Sequence, residues 1–308
     1  MRIGVDLGGT KIEIIALDDR GATLARERVQ TPAGDYDGTV RAIVGLVTGV
    51  EGKLGHRGTV GVGTPGALST QADVLKNSNS VVLNGKPLKR DLEAALNRRI
   101  RLDNDANCFA LSEAVDGAAA GAPVVFGVIL GTGVGGGLII DRTVVTGRNR
   151  IAGEWGHNPL PWPQPDELPG HRCYCGKQGC IETFLCGAGL ARAYAARTQK
   201  SLTAAEIAEA LAAGDEAARD TLRVYQERLA RGLASVVNIV DPDAIVLGGG
   251  VSNIEALYIG LDGLIARYAF SDAIDTRIVR AIHGDSSGVR GAAWLWPLQR
   301  GAAPQNNS

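Results

Sequence analysis

The sequence predicts an α/β protein made of two related halves, each carrying a mixed sheet. Three observations carry that prediction. Short apolar strands alternate along the chain with stretches of helical periodicity, as in sheets covered by helices. Each half opens on a strand, a glycine turn and a returning strand: residues 2–6 then Gly8-Gly9, and residues 123–130 then Gly131-Thr132-Gly133. Glycine makes up 42 of 308 residues, roughly twice ordinary usage, and it clusters where strands end, which marks sharp turns or close backbone approach.

The elements follow in order. Residues 2–6, 11–16 and 23–29 read as three strands joined by Gly8-Gly9 and by Asp18-Asp19-Arg20-Gly21. Val40, Ile43, Val44 and Val47 give residues 36–50 a helical stripe. A strand at 58–63 ends in Thr64-Pro65-Gly66, a helix covers 88–96, a strand covers 100–103, and a helix runs from Asn104-Asp105 to about residue 119. The second half repeats the opening with strands at 123–130, 137–140 and 143–146. Helices are then expected at 187–197, 204–212 and 215–237, the last striped by Leu222, Tyr225, Leu229, Leu233 and Val236. A strand at 244–247 runs into Gly248-Gly249-Gly250, followed by a helix at 254–269, a strand at 277–280 and a helix at 287–298. Hairpins opening each half imply mixed rather than all-parallel sheets. The expected division is 1–118 and 119–286, with helix 287–298 packing back on the first half and a polar, disordered tail at 301–308.

Charge and composition exclude several function classes. The net charge of −1 leaves no basic field for nucleic acid or a membrane surface. No apolar leader and no membrane-length apolar run occur, so a cytoplasmic protein with reduced cysteines is expected. Gly131-x-Gly133-x-x-Gly136 matches the dinucleotide fingerprint in letters, but the fingerprint needs a following helix and residues 137–140 read as a strand. No Walker-type G-x-x-x-x-G-K-[ST] stretch occurs.

Four residues of the 153–182 stretch, His157, Cys173, Cys175 and Cys180, have the chemistry of a tetrahedral structural zinc site. The bland alternative is buried thiols and a surface His, the reading given to Cys108 and Cys186. Glu154 and Glu182 flank the four, and a metal there would draw both carboxylates into one region facing a polar ligand. Asp6-Leu7-Gly8-Gly9-Thr10-Lys11 offers a carboxylate for Mg²⁺, a hydroxyl, a cation and the free N–H groups of a tight turn, which can hold phosphate. Alone it is equally a plain hairpin. Asp105 stands between a strand and a helix start, where it is either an N-cap or a base orienting a hydroxyl for phosphoryl transfer.

Together these motifs resemble the repressor–ORF–kinase (ROK) sugar kinases. The resemblance runs over Asp6-x-Gly8-Gly9-Thr10-Lys11, Asn104-Asp105-Ala106-Asn107, Gly131-Thr132-Gly133-x-Gly135, Gly153-Glu154-x-Gly156-His157 and Cys173-x-Cys175-Gly176-x-x-Gly179-Cys180-x-Glu182. It implies an actin-like (RNase H-like) fold of two related lobes with ATP and sugar between them. By resemblance, Asp105 is the base; Gly66, Asn79, Asn104, Glu154, His157 and Glu182 hold the sugar; and His157 also ligates zinc. Asp6, Gly8, Gly9, Thr10, Lys11 and the run Gly131, Thr132, Gly133, Val134, Gly135, Gly136, Gly137 serve the phosphates and Mg²⁺, with Gly248, Gly249 and Gly250 at the adenosine. A homodimer is expected on the same ground. Within the family, Gly153-Glu154-Trp155-Gly156-His157-Asn158-Pro159-Leu160-Pro161-Trp162 is similar to manno(fructo)kinases, so fructose phosphorylated at its 6-hydroxyl is the expected reaction, with mannose or glucose used more weakly. The Asp103–Leu111 stretch, residues 103–111, looks at least as much like N-acetylglucosamine kinases, and glucose is a further alternative. A sugar-responsive repressor of the family would carry a helix-turn-helix ahead of the first strand, which here begins at Arg2.

Overall fold

The computed structural model describes residues 1–69, 72–76, 78 and 80–297. The chain forms two compact units, Met1–Cys108 with the segment from Gly288, and Phe109–Ser287. The first contains β1 (Arg2–Leu7), β2 (Lys11–Leu17), β3 (Thr23–Gln30), α1 (Tyr36–Leu54), β4 (Thr59–Thr64), the short pair β5 (Ala67–Leu68) and β6 (Leu75–Lys76), α2 (Leu88–Leu96) and β7 (Arg101–Asn104). Helix α3 (Asp105–Val115) begins there and continues into the second unit. The second unit holds β8 (Val124–Leu130), β9 (Val134–Ile140), β10 (Thr143–Val144), α4 (Ile181–Leu185), α5 (Gly187–Thr198), α6 (Ala204–Ala212), α7 (Glu216–Val240), β11 (Ala244–Gly248), α8 (Leu261–Ala266) and β12 (Arg277–Arg280). Helix α9 (Ser287–Trp294) returns the chain to the first unit.

The two main sheets have one topology. Their strand orders are β3-β2-β1-β4-β7 and β10-β9-β8-β11-β12, so in each the first three strands form an antiparallel meander and the last two add in parallel. The duplication suggested by the glycine hairpins is thus a duplication of whole sheets.

Each unit has its own core. In the first, Ile3, Val5 and Leu7 of β1 and Ile12 and Ile14 of β2 pack with Ile43, Val47 and Val50 of α1 and Leu88 and Leu92 of α2. Asp35 caps α1 by accepting the Gly38 N–H. Close approach also shapes this unit: Gly4 and Gly61 are register partners on β1 and β4. A Cβ on Gly4 would lie 2.0 Å from the Val289 carbonyl oxygen, and one on Gly61 would lie 1.9 Å from that of Ala292. The paired glycines make the groove in which the α9 backbone rests. In the second unit, Leu222, Tyr225, Leu229, Leu233 and Val236 of α7 are all buried, as the stripe predicts, against Val128, Leu130, Ile245 and Leu247 of the sheet.

Several expectations shift. The predicted helix at 254–269 is instead one 3₁₀ turn, Glu255–Tyr258, followed by the short α8, because Gly260 takes a left-handed φ of +69° that interrupts the run. Strand β9 starts at Val134 rather than residue 137. Helix α3 ends at Val115 rather than near 119, where the Glu113 side chain folds back to accept the Ala118 N–H at 2.9 Å. The expected boundary at 118/119 lies in the loop after α3, whereas the compact units divide within the helix itself. Helix α4 was not anticipated. Leu298, the expected end of the last helix, and the 301–308 tail lie outside the described residues. Among the described residues, no helix is long and apolar enough to cross a membrane.

Candidate functional site

In the first unit the chemistry gathers at the ends of β1, β4 and β7. Asn104 Oδ1 accepts the Asn107 N–H at 2.7 Å, so Asn104, not Asp105, caps α3. Asp103 Oδ1 in turn accepts the Asn104 N–H at 2.9 Å and Asn107 Nδ2–H at 2.7 Å. Asp105 is therefore relieved of capping; its Oδ1 accepts the adjacent Ala106 N–H, at 2.8 Å. The residue is reachable from solvent, yet enough protein surrounds the carboxylate that desolvation raises its pKa. Such a carboxylate is a better proton acceptor than an ordinary surface Asp.

Asp6, at the end of β1, has its pKa pushed up to about 6 by burial first, then by the charges of Asp105 and Glu13, with Lys11 and Arg28 opposing. Glu13 sits opposite Asp6 on β2 and opposite Arg28 on β3. It is buried and held by Arg26 and Arg28, each at 2.5 Å. The turn between β1 and β2 closes through Gly8 N–H donating to the Lys11 carbonyl at 2.9 Å, leaving Gly9 and Thr10 exposed. Gly66 follows β4 with a left-handed φ of +81°. Asn79 lies outside the described residues.

The second unit holds the His/Cys cluster. The 3₁₀ turn Trp155–His157 lies against β9, with the Trp155 indole N–H donating to the Gly135 carbonyl at 3.1 Å. A Cβ on Gly136 would stand 2.5 Å from the Gly153 carbonyl oxygen, and one on Gly153 would stand 2.6 Å from that of Gly136. Some glycines of the 131–137 run thus serve backbone packing onto the loop that presents His157. The cysteines come from a tight reversal in which Cys173 N–H donates to the Lys177 carbonyl at 2.8 Å and Arg172 bridges Gln178.

The four candidate ligand atoms of His157, Cys173, Cys175 and Cys180 all lie within 4.8 Å of one another. Cys175 Sγ is 3.6 Å from Cys180 Sγ, and Cys173 Sγ is 3.5 Å from His157 Nδ1. A tetrahedral zinc with Zn–S of about 2.3 Å and Zn–N of about 2.0 Å requires separations of roughly 3.8 and 3.5 Å, so the donor set fits that ion. Burial and the neighbouring thiols push Cys180 up to about 12, while the Lys177 N–H holds the exposed Cys175 below its ordinary value.

Glu182 lies on α4 directly after the cluster. Its Oε2 accepts the Val134 N–H at 3.2 Å, and its Oε1 is 3.8 Å from Cys173 Sγ. One carboxylate thus touches both the cysteine loop and the turn between β8 and β9. Glu154 is exposed. Both glutamates act on Tyr174, a largely exposed ring whose pKa is pushed up to about 12 by partial desolvation of its hydroxyl first and then by the charges of Glu182 and Glu154. The turn itself closes by Gly131 N–H to the Gly133 carbonyl at 3.0 Å, with Thr132 exposed. Gly249 packs on Leu130, the residue before that turn, with φ of +83°, so the second and third glycine clusters meet. Space is open beside Gly250, and the nearest atom to a Cβ on Gly131 is 3.8 Å away.

Cys108 and Cys186 are buried thiols as expected, and Cys186 Sγ accepts the Gly189 N–H at the start of α5. Sequence reasoning missed three residues. Tyr174 reads as surface, but its hydroxyl is 3.0 Å from His157 Nε2. Glu113, fully buried, accepts from Ser287 Oγ at 2.9 Å and from the Ile282 and His283 N–H groups, both at 3.2 Å. Glu167 is buried between Arg231 at 2.7 Å and Arg228 at 2.8 Å, which hold its pKa down to about 2 against burial. Only the Cys-Tyr-Cys context of Tyr174 gave any sequence signal.

Comparison with known proteins matches residues 2–299 to the ROK family. An N-acetyl-D-glucosamine kinase of Photobacterium profundum is 43% identical over 299 residues, covering 96% of this chain and 99% of that protein. Among solved structures, a ROK hexokinase from Thermus thermophilus superposes with a TM-score of 0.85 at 33% identity, over 96% of this chain and 97% of that one. A ROK family glucokinase from Streptomyces griseus, solved with glucose and AMPPNP, gives a TM-score of 0.74 at 31% identity, over 96% and 98% of the two chains. The chain belongs to the ROK family and has the actin-like α/β fold of its sugar kinases.

Proposed function

We propose that the protein is an ATP-dependent hexose kinase that transfers the γ-phosphoryl group to the 6-hydroxyl of N-acetylglucosamine. The observation that carries the reaction type is Asp105: a solvent-reachable carboxylate at a strand end, freed from helix capping by Asn104, with a raised pKa. In this reading Asp105 orients the sugar hydroxyl and takes its proton as the oxygen attacks phosphorus in line and ADP leaves. Asn104, Gly66, Glu154, His157 and Glu182 hold the sugar hydroxyls, with Asn79 a further candidate.

Gly8 to Lys11 and the turn at Gly131 to Gly133 supply N–H groups, a hydroxyl and a cation to the phosphates, while Gly250 leaves room for the nucleoside. Asp6 is the carboxylate suited to Mg²⁺, because its anionic neighbourhood favours a divalent cation, whose charge would offset that of the phosphates. His157, Cys173, Cys175 and Cys180 would hold a structural zinc that fixes the loop carrying the sugar-facing groups.

The sugar rests on resemblance rather than geometry. The expectation of fructose gives way to N-acetylglucosamine, the substrate named for the relative identical at 43% of positions. ADP release from MgATP should be measured with N-acetylglucosamine, glucose, mannose and fructose in parallel. The expected order places N-acetylglucosamine first in kcat/KM. A lead by fructose would restore the alternative, and no turnover with any of the four would refute the kinase reading.

A further inference from the structure

Tyr174 is an unusual residue for its place. It is a large aromatic side chain, 82% exposed, set between two of the candidate zinc ligands. It packs into no core. Its ring stands edge-on to the His157 imidazole, with centroids 5.1 Å apart and planes at 89°. Its hydroxyl lies 3.0 Å from Nε2, while Nδ1 of the same ring faces Cys173 Sγ at 3.5 Å. Both edges of the imidazole are thus occupied from within one loop.

We propose that Tyr174 is a specificity-determining residue of the sugar site, whose hydroxyl holds the His157 Nε2 position until the sugar displaces it. The inference rests on the reading of His157 as a sugar-facing group. A neutral imidazole carries one proton, and a ring whose Nδ1 lone pair serves the thiol cluster keeps that proton on Nε2. Nε2–H is then a donor, and the phenol oxygen accepts from it. A sugar oxygen can reach Nε2 only by taking over that acceptor role. The phenol is tethered and so competes for Nε2–H better than loose water, and the sugar gains less from His157 than it would from a hydrated Nε2–H.

Two features make displacement feasible. The backbone of Tyr174 is fixed by the Cys173–Lys177 and Gly176–Cys173 hydrogen bonds, so the side chain alone must move. An exposed side chain changes rotamer on the picosecond-to-nanosecond scale, far faster than turnover. The preference that results is for substrates presenting a strong acceptor, such as an amide carbonyl, at the position facing Nε2, since a weak acceptor competes poorly with a phenol oxygen.

The test is the Tyr174→Phe variant of the full-length, metal-loaded protein, with Tyr174→Ala as a second variant in case the retained Phe ring still blocks the position. Zinc content is measured first, and both variants are expected to retain it. Calorimetric Kd for N-acetylglucosamine without nucleotide is then compared with KM and kcat. The expected result is a Kd and KM for sugar lowered by roughly three- to tenfold, in line with removing one competing hydrogen bond, with kcat and the KM for ATP within about twofold. The same exchange predicts a tyrosine ultraviolet difference signal when sugar is added to the unaltered protein, absent from both variants. A Kd that rises would show the phenol contacting sugar directly, and an unchanged Kd would make it a bystander; either result overturns the proposal. Failure of the unaltered protein to bind or phosphorylate any hexose would instead refute the kinase reading, so the two failures are distinguishable.

Discussion

Asp6 and Asp105 share one anionic neighbourhood in the first unit, and different chemistry is asked of each. In the proposed mechanism Asp105 accepts the hydroxyl proton, a task that its raised pKa and its freedom from capping suit. Replacement by Asn leaves the Ala106 N–H an acceptor and removes the base. In the proposed site Asp6 stays ionised beside a cation, although burial, Asp105 and Glu13 push its pKa to about 6. In the unfolded chain it ionises near 3.9. Its protonated form therefore contributes stability that is fully present below the unfolded value and is lost as pH rises through about 6. Asp6→Asn is expected to raise stability by about 1–3 kcal/mol at pH 7.5, with the gain vanishing near pH 4, while impairing use of MgATP. Melting curves at the two pH values check this, and a lower melting temperature for the variant at pH 7.5 would contradict it. The sequence showed Asp105 with two roles open, and only its neighbour's side chain decided between them. Glu113 was not legible at all, because a Glu on a helix is solvated by default and its four donors come from the 118 loop and the 282–287 segment.

At the scale of elements, α9 depends on Gly4 and Gly61. Gly61→Ala is expected to cost at least about 3 kcal/mol, because the new Cβ would meet backbone that cannot rotate away. Gly45→Ala on α1, where a Cβ meets nothing within 4 Å, is expected to stabilise by about 0.5–1 kcal/mol. Urea denaturation of the pair measures both signs. The segment before the cysteine loop is tied to α7 by Glu167, Arg228 and Arg231, and Arg231 also donates to the Trp162 carbonyl at 2.7 Å. Arg231→Ala leaves the buried Glu167 carboxylate with Arg228 and the Gln164 N–H but without its fully buried partner, and should cost about 1–3 kcal/mol, again read by denaturation; a loss under 0.5 kcal/mol, roughly the scatter of a surface substitution, would show that Arg228 and water replace the guanidinium. Strands and the α7 stripe were legible because period-two and period-3.6 patterns survive in the sequence. The 254–269 stretch was not, because its apolar residues are spaced for a helix while Gly260 breaks the backbone among them.

Over the whole molecule, two sheets share one strand order, and each carries a glycine turn after its first strand. That duplication was visible in the paired hairpins, whereas the sugar was not, because it depends on a few side chains on loops. Each unit buries its own core, so metal is expected to shape the His157 loop rather than sustain the fold. Exhaustive chelation, or Cys175→Ser, should leave far-ultraviolet circular dichroism largely unchanged while raising the KM for sugar at least about tenfold. Global unfolding on chelation, or undiminished activity in metal-free protein, would contradict that division of labour. The most direct measurement is transfer of the γ-phosphoryl group from MgATP to N-acetylglucosamine by the unaltered protein and by Asp105→Asn, with sugar binding to the variant measured separately. Steady turnover is expected in the first and a fall of about 10²–10⁴-fold in kcat in the second, with sugar still bound. A variant that turns over at the unaltered rate would remove Asp105 as the base and with it the mechanism.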